Sequence, residues 1–338
     1  MIPTFFVLVD GTDVSANFVS RLVELRMTDA SGRESDCVTI LLDNKDRELV
    51  APRRGALMYA AIGWNGSHDV DGEYIVESSV IEGGGEQPFT LSVEGKSADL
   101  RETIKQHRTE DHQKTTVGAL VNKLAQRNSL TPAVGQDLAS VELDYLGQSE
   151  ESDMHLLSRL ARRLGAVAAV KDRRLLFTRK GSGQGATGTS LGSATVVLTD
   201  IIYLRCAVKD RPRFGKVQTT YMDRGTGLEK LYTKEFGDGG PDFFIRHPFS
   251  TKDEAERAAG ARARELETEG NTLTLTLHGR GDIAAEMKLN VVGICPNADG
   301  QWSVERVEQV LDQSGWRTEV ECTRDKADKD AGGDESIE

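Results

Sequence analysis

The sequence predicts a mainly β protein in which two related antiparallel β domains flank a small α/β module. Short apolar segments bounded by Gly, Asp and Asn fill both ends of the chain, and one strand pattern occurs at both ends. A helix, a glycine and a hairpin pattern in the middle predict the module. The 338 residues suffice for two or three domains, and the 38% hydrophobic content suffices for packed cores.

Residues 1–105 are predicted to form the first β domain. Its segments carry β-branched or aromatic residues and follow one another closely, which favours antiparallel pairing in a barrel or a sandwich. These segments are RLVELRMTD, DCVTILLDN, GALMYAAIGW, GEYIVESSVI and PFTLSVEGK.

Residues 106–180 are predicted to form the α/β module, beginning with a helix over TTVGALVNKLAQRN. Apolar side chains share one face of this helix at helical spacing. They are Val117, Leu120, Val121 and Leu124. Thr115 or Thr116 can cap its start, and Asn128 can adopt the left-handed conformation at its end.

A second helix and a hairpin complete the module in ESDMHLLSRLARRLGAVAAVKDRRLLFTRKG. Ser152 is the expected N-cap and Gly165 ends the helix. The apolar stripe consists of Leu157, Leu160, Ala161 and Leu164. The segments AVAAV and RLLFTR then pair around residues 171–173. A basic face could meet an acidic partner or be solvated; it consists of Arg159, Arg162, Arg163, Lys171, Arg173 and Arg174.

The rest of the chain is predicted to hold a flexible linker at 181–195, the second β domain at 196–325 and a disordered acidic tail at 326–338. The second domain contains an inserted helix that begins after Ser250 or Thr251 and ends before Gly270. The strand after it alternates leucines with threonines, which predicts one buried face. The leucines are Leu273, Leu275 and Leu277.

An internal repeat relates the two β domains. Asp71–Glu77 reads DGEYIVE and Asp299–Glu305 reads DGQWSVE. ALMYAAIG and MKLNVVGI precede the two copies, and FTLSVE and WRTEVE follow them. We interpret the Asp-Gly pairs as hairpin turns. Tyr74 and Trp302, each followed two residues later by a valine, are expected to fill the two cores.

Composition excludes several classes of protein. The net charge of −12 disfavours binding to DNA by phosphate neutralisation, although an acidic wall suits a DNA conduit. The cysteines lie too far apart for a zinc motif and are expected to be reduced thiols. They are Cys37, Cys206, Cys295 and Cys322. Neither a signal peptide nor a membrane span is predicted, so no membrane insertion is expected.

Three motifs suggest chemistry but have simpler interpretations. Residues 183–188 match GxGxxG, but the residues after them do not predict the helix that a dinucleotide site needs, so a flexible loop is expected. His107 and His112 lack a third metal ligand and are expected in a polar connection. Ser67–Glu73 lacks calcium-loop spacing and is expected to be a hairpin loop. We therefore assign no catalytic, cofactor-binding or metal-binding residue and expect no cofactor.

The repeat and the module together resemble the phage late control D family, the hub proteins of contractile tails. That family is similar to the N-terminal half of the type VI secretion spike protein. The resemblance covers most of residues 1–325. It rests on PRRGALMYAAIGW with DGEYIVESSVIEG, on TTVGALVNKLAQRN, on ESDMHLLSRLARRLGAVAAVKDRRLLF and on DGQWSVERVEQVLDQSGWRTEVE.

The resemblance implies two tube-type β-barrels in each chain and a trimeric ring that adapts a six-fold tail tube to a three-fold spike. The implied partners are two further copies of the chain, the central spike, the tail tube, the tape measure and the baseplate wedge proteins, with DNA only in transit. The implied location is the virion tail baseplate of a phage or a tail-like bacteriocin, assembled in the host cytoplasm. The implied role is structural, not enzymatic.

Two alternatives come from other functional classes. A peptidoglycan hydrolase would use a carboxylate pair in the α/β module, although no sequence context marks such a pair. A carbohydrate-binding β-sandwich would expose aromatic residues on loops. The three tryptophans lie in strand patterns instead; they are Trp64, Trp302 and Trp316.

Overall fold

Strands dominate the computed structural model, which describes residues 1–31, 35–97, 104–171, 174–181, 191–208, 214–236, 239–268 and 271–324. Among these residues, one 13-stranded sheet runs through both ends of the chain and three smaller sheets accompany it. The predicted mainly β class with an α/β module is confirmed.

The first β unit is built from the seven N-terminal strands. They are β1 (Pro3–Val9), β2 (Thr12–Asp13), β3 (Leu22–Ala30), β4 (Cys37–Asp43), β5 (Leu57–Trp64), β6 (Val70–Gly84) and β7 (Gln87–Lys96), with the short helix α1 (Ser15–Phe18) after β2. Every strand except β2 sends side chains into one core, so the sheet curls around it. Alternation of buried and partly exposed residues along β4 illustrates this one-sided packing.

The module follows with alternating strands and helices. They are β8 (His107–Thr116), α2 (Val117–Arg127), β9 (Thr131–Val134), α3 (Gln136–Ala139), β10 (Glu142–Ser152), α4 (Asp153–Leu164), β11 (Ala166–Lys171) and β12 (Arg174–Arg179). Strands β8 and β10 pair with each other, and β12 pairs with both β11 and β9. The predicted hairpin is thus confirmed as β11 and β12.

The ends of the module's helices follow the predicted capping chemistry with one exception. The hydroxyl groups of Thr116 and Ser152 each accept a backbone N–H three residues later at 3.2 Å. Gly165 ends α4 at a φ of 64°. Asn128, however, has a φ of −101°, and the left-handed residue after α2 is Ser129 at 55°. The side chain of Asn128 donates to the Leu124 carbonyl at 2.7 Å.

The second β unit contains six strands and an inserted subdomain. Its strands are β13 (Ser193–Val197), β14 (Ile201–Val208), β18 (Asn271–His278), β19 (Lys288–Val292), β20 (Gly300–Asp312) and β21 (Gly315–Thr323). Between β14 and β18 lie β15 (Lys216–Asp223), β16 (Leu228–Glu235), β17 (Asp242–Phe244) and α5 (Lys252–Thr268). The predicted leucines of β18 are fully buried in this unit's core.

Neither unit closes by hydrogen bonds among the described residues. The pairing path ends at β14 and β13 in the second unit and continues from β20 into β3 in the first unit. The predicted barrels are therefore two curled parts of one continuous sheet. Strand β13 already begins at Ser193, whereas most of the predicted linker and the tail lie outside the described residues.

Candidate functional site: the seam between the two β units

The two β units share one strand order, although β1 runs antiparallel to β5 and its counterpart β13 runs parallel to β19. Strands of the first unit pair in the order β3-β4-β7-β6-β5-β1, and those of the second pair in the order β14-β18-β21-β20-β19-β13. Irregularities also coincide. A register shift follows Val76 in β6 and Val304 in β20, and another follows Leu22 in β3 and Ile201 in β14. Since bulges are specific features of a strand, the repeat extends to the detailed backbone.

The repeated Asp-Gly motif has a different role from the predicted one in the first unit. Asp71 and Gly72 lie within β6 and pair with Ala61 and Ala60, so they do not form a hairpin turn. A Cβ atom on Gly72 would lie 2.7 Å from the hydroxyl oxygen of Tyr74. The glycine thus makes room for the aromatic ring. The predicted core role is confirmed, because Tyr74 and its counterpart Trp302 are both buried.

The β3·β20 ladder, which we call the seam, joins the two units. Gln309 pairs with Met27 and Leu311 pairs with Leu25. Leu311 and Trp316 of the second unit belong to the core of the first. The side chain of Gln309 is only 3% exposed and is satisfied from several directions. Its oxygen accepts hydrogen bonds from Trp316 Nε1 at 2.9 Å and from Thr318 Oγ1 at 2.8 Å, and its nitrogen donates to the Arg280 carbonyl at 3.1 Å.

The partly exposed face of the seam carries a charged row centred on Arg26. Its guanidinium contacts Glu308 of the second unit and lies 3.0 Å from Glu24 and 3.9 Å from Glu319. Hydrogen bonding to Glu24 and the charge of Glu308 hold the pKa of Arg26 above its ordinary value. Opposite charges on neighbouring strands stabilise a register, so this row helps to fix the seam.

Two tryptophans also hold the two units together outside the β3·β20 ladder. Trp64 Nε1 donates to the Gly279 carbonyl at 3.0 Å, and its ring lies 5.2 Å from that of Trp316. A buried aromatic pair contributes about 0.5–1.5 kcal/mol beyond its area. The first unit, which contains Trp64, is thereby held to the second unit at two separate points.

A partly buried ionic cluster connects the module to both units. Lys171 of β11 contacts Asp29 of β3 and lies 3.1 Å from Asp36. The other oxygen of Asp29 accepts the backbone N–H of Ala285 at 2.8 Å. Burial and the neighbouring Asp29 carboxylate raise the pKa of Asp36 to about 7. Burial opposes the charge on Lys171, but the two carboxylates raise its pKa above the ordinary value.

Much of the predicted basic face is engaged within the chain. Arg159 pairs with Glu151, and Arg163 lies 3.4 Å from Glu254 and 5.4 Å above the ring of Phe249. Together with Lys171, these side chains hold the module's own strand, the inserted helix and the first unit. Their charges therefore contribute to the fold rather than presenting one open surface to a partner.

The other predicted motifs have structural surroundings. His112 is buried in β8 with its Nε2 3.4 Å from Gln148 Oε1, so the expected polar connection is a strand. Asp69 accepts hydrogen bonds from Trp64 N at 3.0 Å and Ser67 Oγ at 2.9 Å, as suits a turn. Residues 183–188 lie outside the described residues. Within the described ranges, no three His, Cys, Asp or Glu side chains are grouped as a metal site would require.

The seam was not predicted from the sequence, although it holds the most extensive contacts between the two units. One signal could have indicated it: a glutamine at a core-facing position of β20, between Val307 and Leu311. No sequence pattern indicated the Lys171 cluster, because its members come from distant segments of the chain.

The chain matches one family of proteins over most of its length. A family model described as phage tail baseplate hub (GPD) matches residues 53–315. The chain belongs to the phage tail baseplate hub family. The hub is 29% identical to the probable baseplate hub protein of Escherichia phage 186, over 94% of this chain and 92% of the relative. It is thus a component of the virion tail baseplate.

Solved structures share the hub's fold at low identity. The 43 kDa tail protein of prophage MuSo2 from Shewanella oneidensis superposes with a TM-score of 0.73 at 14% identity, covering 95% of this chain and 98% of that one. The c3393 protein of E. coli, a component of the type VI secretion system, gives a TM-score of 0.60 at 11% identity, covering 94% and 76%. Within its described part, the hub has no helix that is both long and apolar enough to cross a bilayer.

Proposed function

We propose that the hub acts as a homotrimeric ring in which three chains place six similar β units around a channel. The shared strand order of the two units supports this proposal, because one chain then offers a similar backbone surface twice. A ring of three such chains has true three-fold symmetry and approximate six-fold symmetry. Such a ring can abut a six-fold tail tube on one side and a three-fold central spike on the other.

The channel would pass the tape measure protein and, in a phage, DNA. The net charge of −12 suits transit, because an acidic wall does not hold phosphates. In this proposal residues 1–105 and 193–325 form the ring, since β13 begins at Ser193, and residues 106–180 contact neighbouring chains or the wedge proteins. The segments 181–192 and 326–338 serve as linker and tail.

We also infer that the hub performs no catalysis. Buried polar side chains of the module are committed to structural contacts: Asp153 accepts hydrogen bonds from Arg127 at 3.2 Å, Asn128 at 3.0 Å and Gln148 at 3.0 Å. A peptidoglycan zymogram with the purified hub tests this inference. A clear band at the mass of the hub would overturn it.

The first experiment on the ring combines light scattering with electron-microscopy class averages of the purified hub. We expect a mass of three times 36.9 kDa and six similar lobes around a hole. A persistent monomer in the presence of the co-expressed spike protein, or a ring without a lumen, would contradict the proposal.

A further inference from the structure

We propose that β6 of one copy pairs with β14 of the next copy in the same geometry in which β20 pairs with β3 inside one chain. The partner is therefore a second copy of this chain, and the contact is a continuation of the sheet. The inference rests on the trimer proposed above and specifies which strands form its contacts.

Equivalent strands of the two units differ in their neighbours. The later part of β20 lies between β21 and β3. Its equivalent, the stretch Ser78–Gly84 of β6, pairs with β7 on one side and faces no other strand in the described parts of the chain. Likewise β3 lies between β4 and β20, whereas its equivalent β14 pairs with β18 and ends the sheet.

Equivalent side chains of the two units also differ in their exposure to solvent. Gln309 in the seam is 3% exposed, whereas its equivalent Ile81 is 52% exposed. Val80 beside it is 45% exposed, and on the other edge Ile202 and Tyr203 are 53% and 55% exposed. Two long, partly apolar strand edges in one chain are sites where further strands pair. Here the edges of β6 and β14 are equivalent to β20 and β3, which already pair with each other in the seam.

The repeat dictates the register of the pairing between copies. The matching bulges show which residues are equivalent in the two units. Ser78 of β6 is equivalent to Arg306 of β20, and Tyr203 of β14 is equivalent to Glu24 of β3. Transferring the seam's pairing, in which Gln309 faces Met27, places Ile81 opposite Cys206 of the next copy.

The chemistry of this register is complementary. Ile81 and Cys206 meet on the core-facing side, where their equivalents Gln309 and Met27 meet in the seam. On the other face Val80 lies opposite Ala207, and Glu82 lies opposite Arg205. Opposite charges across two strands stabilise the pairing by about 0.2–1 kcal/mol, and a slip by one residue would turn each strand's side chains to the wrong face.

The symmetry also fits. An edge of β6 meeting a different edge, β14, is a head-to-tail contact, and such contacts form a closed ring when the rotation allows it. Two kinds of seam would then alternate around the ring. One joins two units of the same chain and the other joins units of neighbouring copies, so the six units have similar surroundings.

Disulfide trapping tests the register in the full chain. In a Cys206→Ser background, we expect the Val80→Cys/Ala207→Cys double variant to form disulfide-linked dimers and trimers after mild oxidation. The matched control is Ser79→Cys/Ala207→Cys, in which the two thiols point to opposite faces of the sheet. We expect at least about tenfold more cross-linked product from the first variant, because adjacent strands bring facing Cβ atoms within disulfide distance.

The outcomes separate the pairing from the ring itself. Light scattering on the reduced variants reports the assembly state. Trimers that cross-link equally in both variants, or in neither, would overturn the proposed pairing and leave the trimer standing. A monomer at every concentration, with the spike protein co-expressed, would overturn both.

Discussion

At the scale of single residues, the Lys171 cluster is a partly buried charged contact between the module and the first unit. One ammonium group faces the two carboxylates of Asp29 and Asp36, and the side chains of Lys171 and Asp36 are each 18% exposed. Partly buried charges depend on their partners, because removing one leaves the others without compensation. The cluster therefore makes the docking of the module on the first unit sensitive to charge.

We expect Lys171→Met to lower the free energy of unfolding by about 2–3 kcal/mol at pH 7.5, because Asp29 loses its cation and Asp36, whose pKa Lys171 holds down, must take up a proton to remain beside it. The matched control is Lys180→Met. Lys180 is 53% exposed and lies 3.2 Å from Glu305, so its loss should cost less than about 1 kcal/mol. Urea unfolding of both variants measures the difference, and equal losses would show that the Lys171 cluster stabilises the fold no more than an exposed ion pair does.

The raised pKa of Asp36 predicts a pH dependence. Below about pH 4 this carboxyl is protonated in both the folded and the unfolded chain. As the pH rises towards 7, the unfolded chain releases the proton while the folded chain still holds it, so the folded state loses stability. Asp36→Asn removes this titration and keeps the acceptor for the Ala30 N–H.

The wild type should therefore lose about 1–3 kcal/mol relative to Asp36→Asn between pH 4 and pH 7.5. Unfolding curves at a series of pH values measure this difference. Parallel stability curves for the two proteins over that range would contradict the assignment.

Sequence patterns predicted single residues well where the reason is local. The N-cap Ser152, the terminator Gly165 and the core residues Tyr74 and Trp302 each follow from their immediate neighbours. The contact of Lys171 with Asp36 could not be predicted in this way, because local sequence patterns do not show which distant segments of the chain meet.

At the scale of elements, the end of α4 shows how the module is fixed to the inserted helix α5. Gly165 adopts a φ of 64°, and a Cβ atom there would lie 3.2 Å from Cβ of Ala261. The left-handed conformation costs other residues about 1 kcal/mol or more. The same glycine thus serves both the turn and the approach of the two helices.

We expect Gly165→Ala to destabilise the hub by about 1–2 kcal/mol, from the left-handed backbone and the contact with α5. Gly260→Ala is the control, since Gly260 lies within α5, has no positive φ, and a Cβ atom there would meet nothing within 4 Å. It should stabilise the helix by about 0.5–1 kcal/mol. Thermal unfolding of the two variants should shift in opposite directions, and a shift in the same direction would contradict this account.

Elements whose sequence has a clear period were predicted, and those without one were not. Helices α2 and α4 follow from apolar residues at helical spacing. Strand β8 reads HRTEDHQKTT and has no apolar alternation, so the sequence predicted a connection. Its strand conformation comes from pairing with β10, which is a tertiary effect.

At the scale of the whole molecule, the repeat was visible in the sequence but the seam was not. Alternation along a strand shows which face is buried, whereas the neighbour of its edge is set by the fold as a whole. The β20 sequence is equally compatible with an edge strand and with a strand paired on both sides. The sequence therefore does not show that the sheet continues from the second unit into the first; the three-dimensional structure does.

Equivalent positions in the two seams should respond differently to the same change. Ile81→Lys places a charge on an exposed edge of the single chain, so we expect its free energy of unfolding to change by less than about 0.5 kcal/mol. Assembly should nevertheless fail, because the charge would be buried without a partner between copies. Gln309→Lys places the same charge inside the chain's own seam and removes the hydrogen bonds to Trp316 and Thr318.

Gln309→Lys should therefore destabilise the chain itself by about 3 kcal/mol or more. Urea unfolding at low concentration and light scattering at high concentration measure the two effects independently. An Ile81→Lys variant that still forms the wild-type trimer would show that this edge lies outside the contact between copies. A Gln309→Lys variant with unchanged stability would show that the seam contributes little to joining the two units, and the pairing inferred from it would lose its basis.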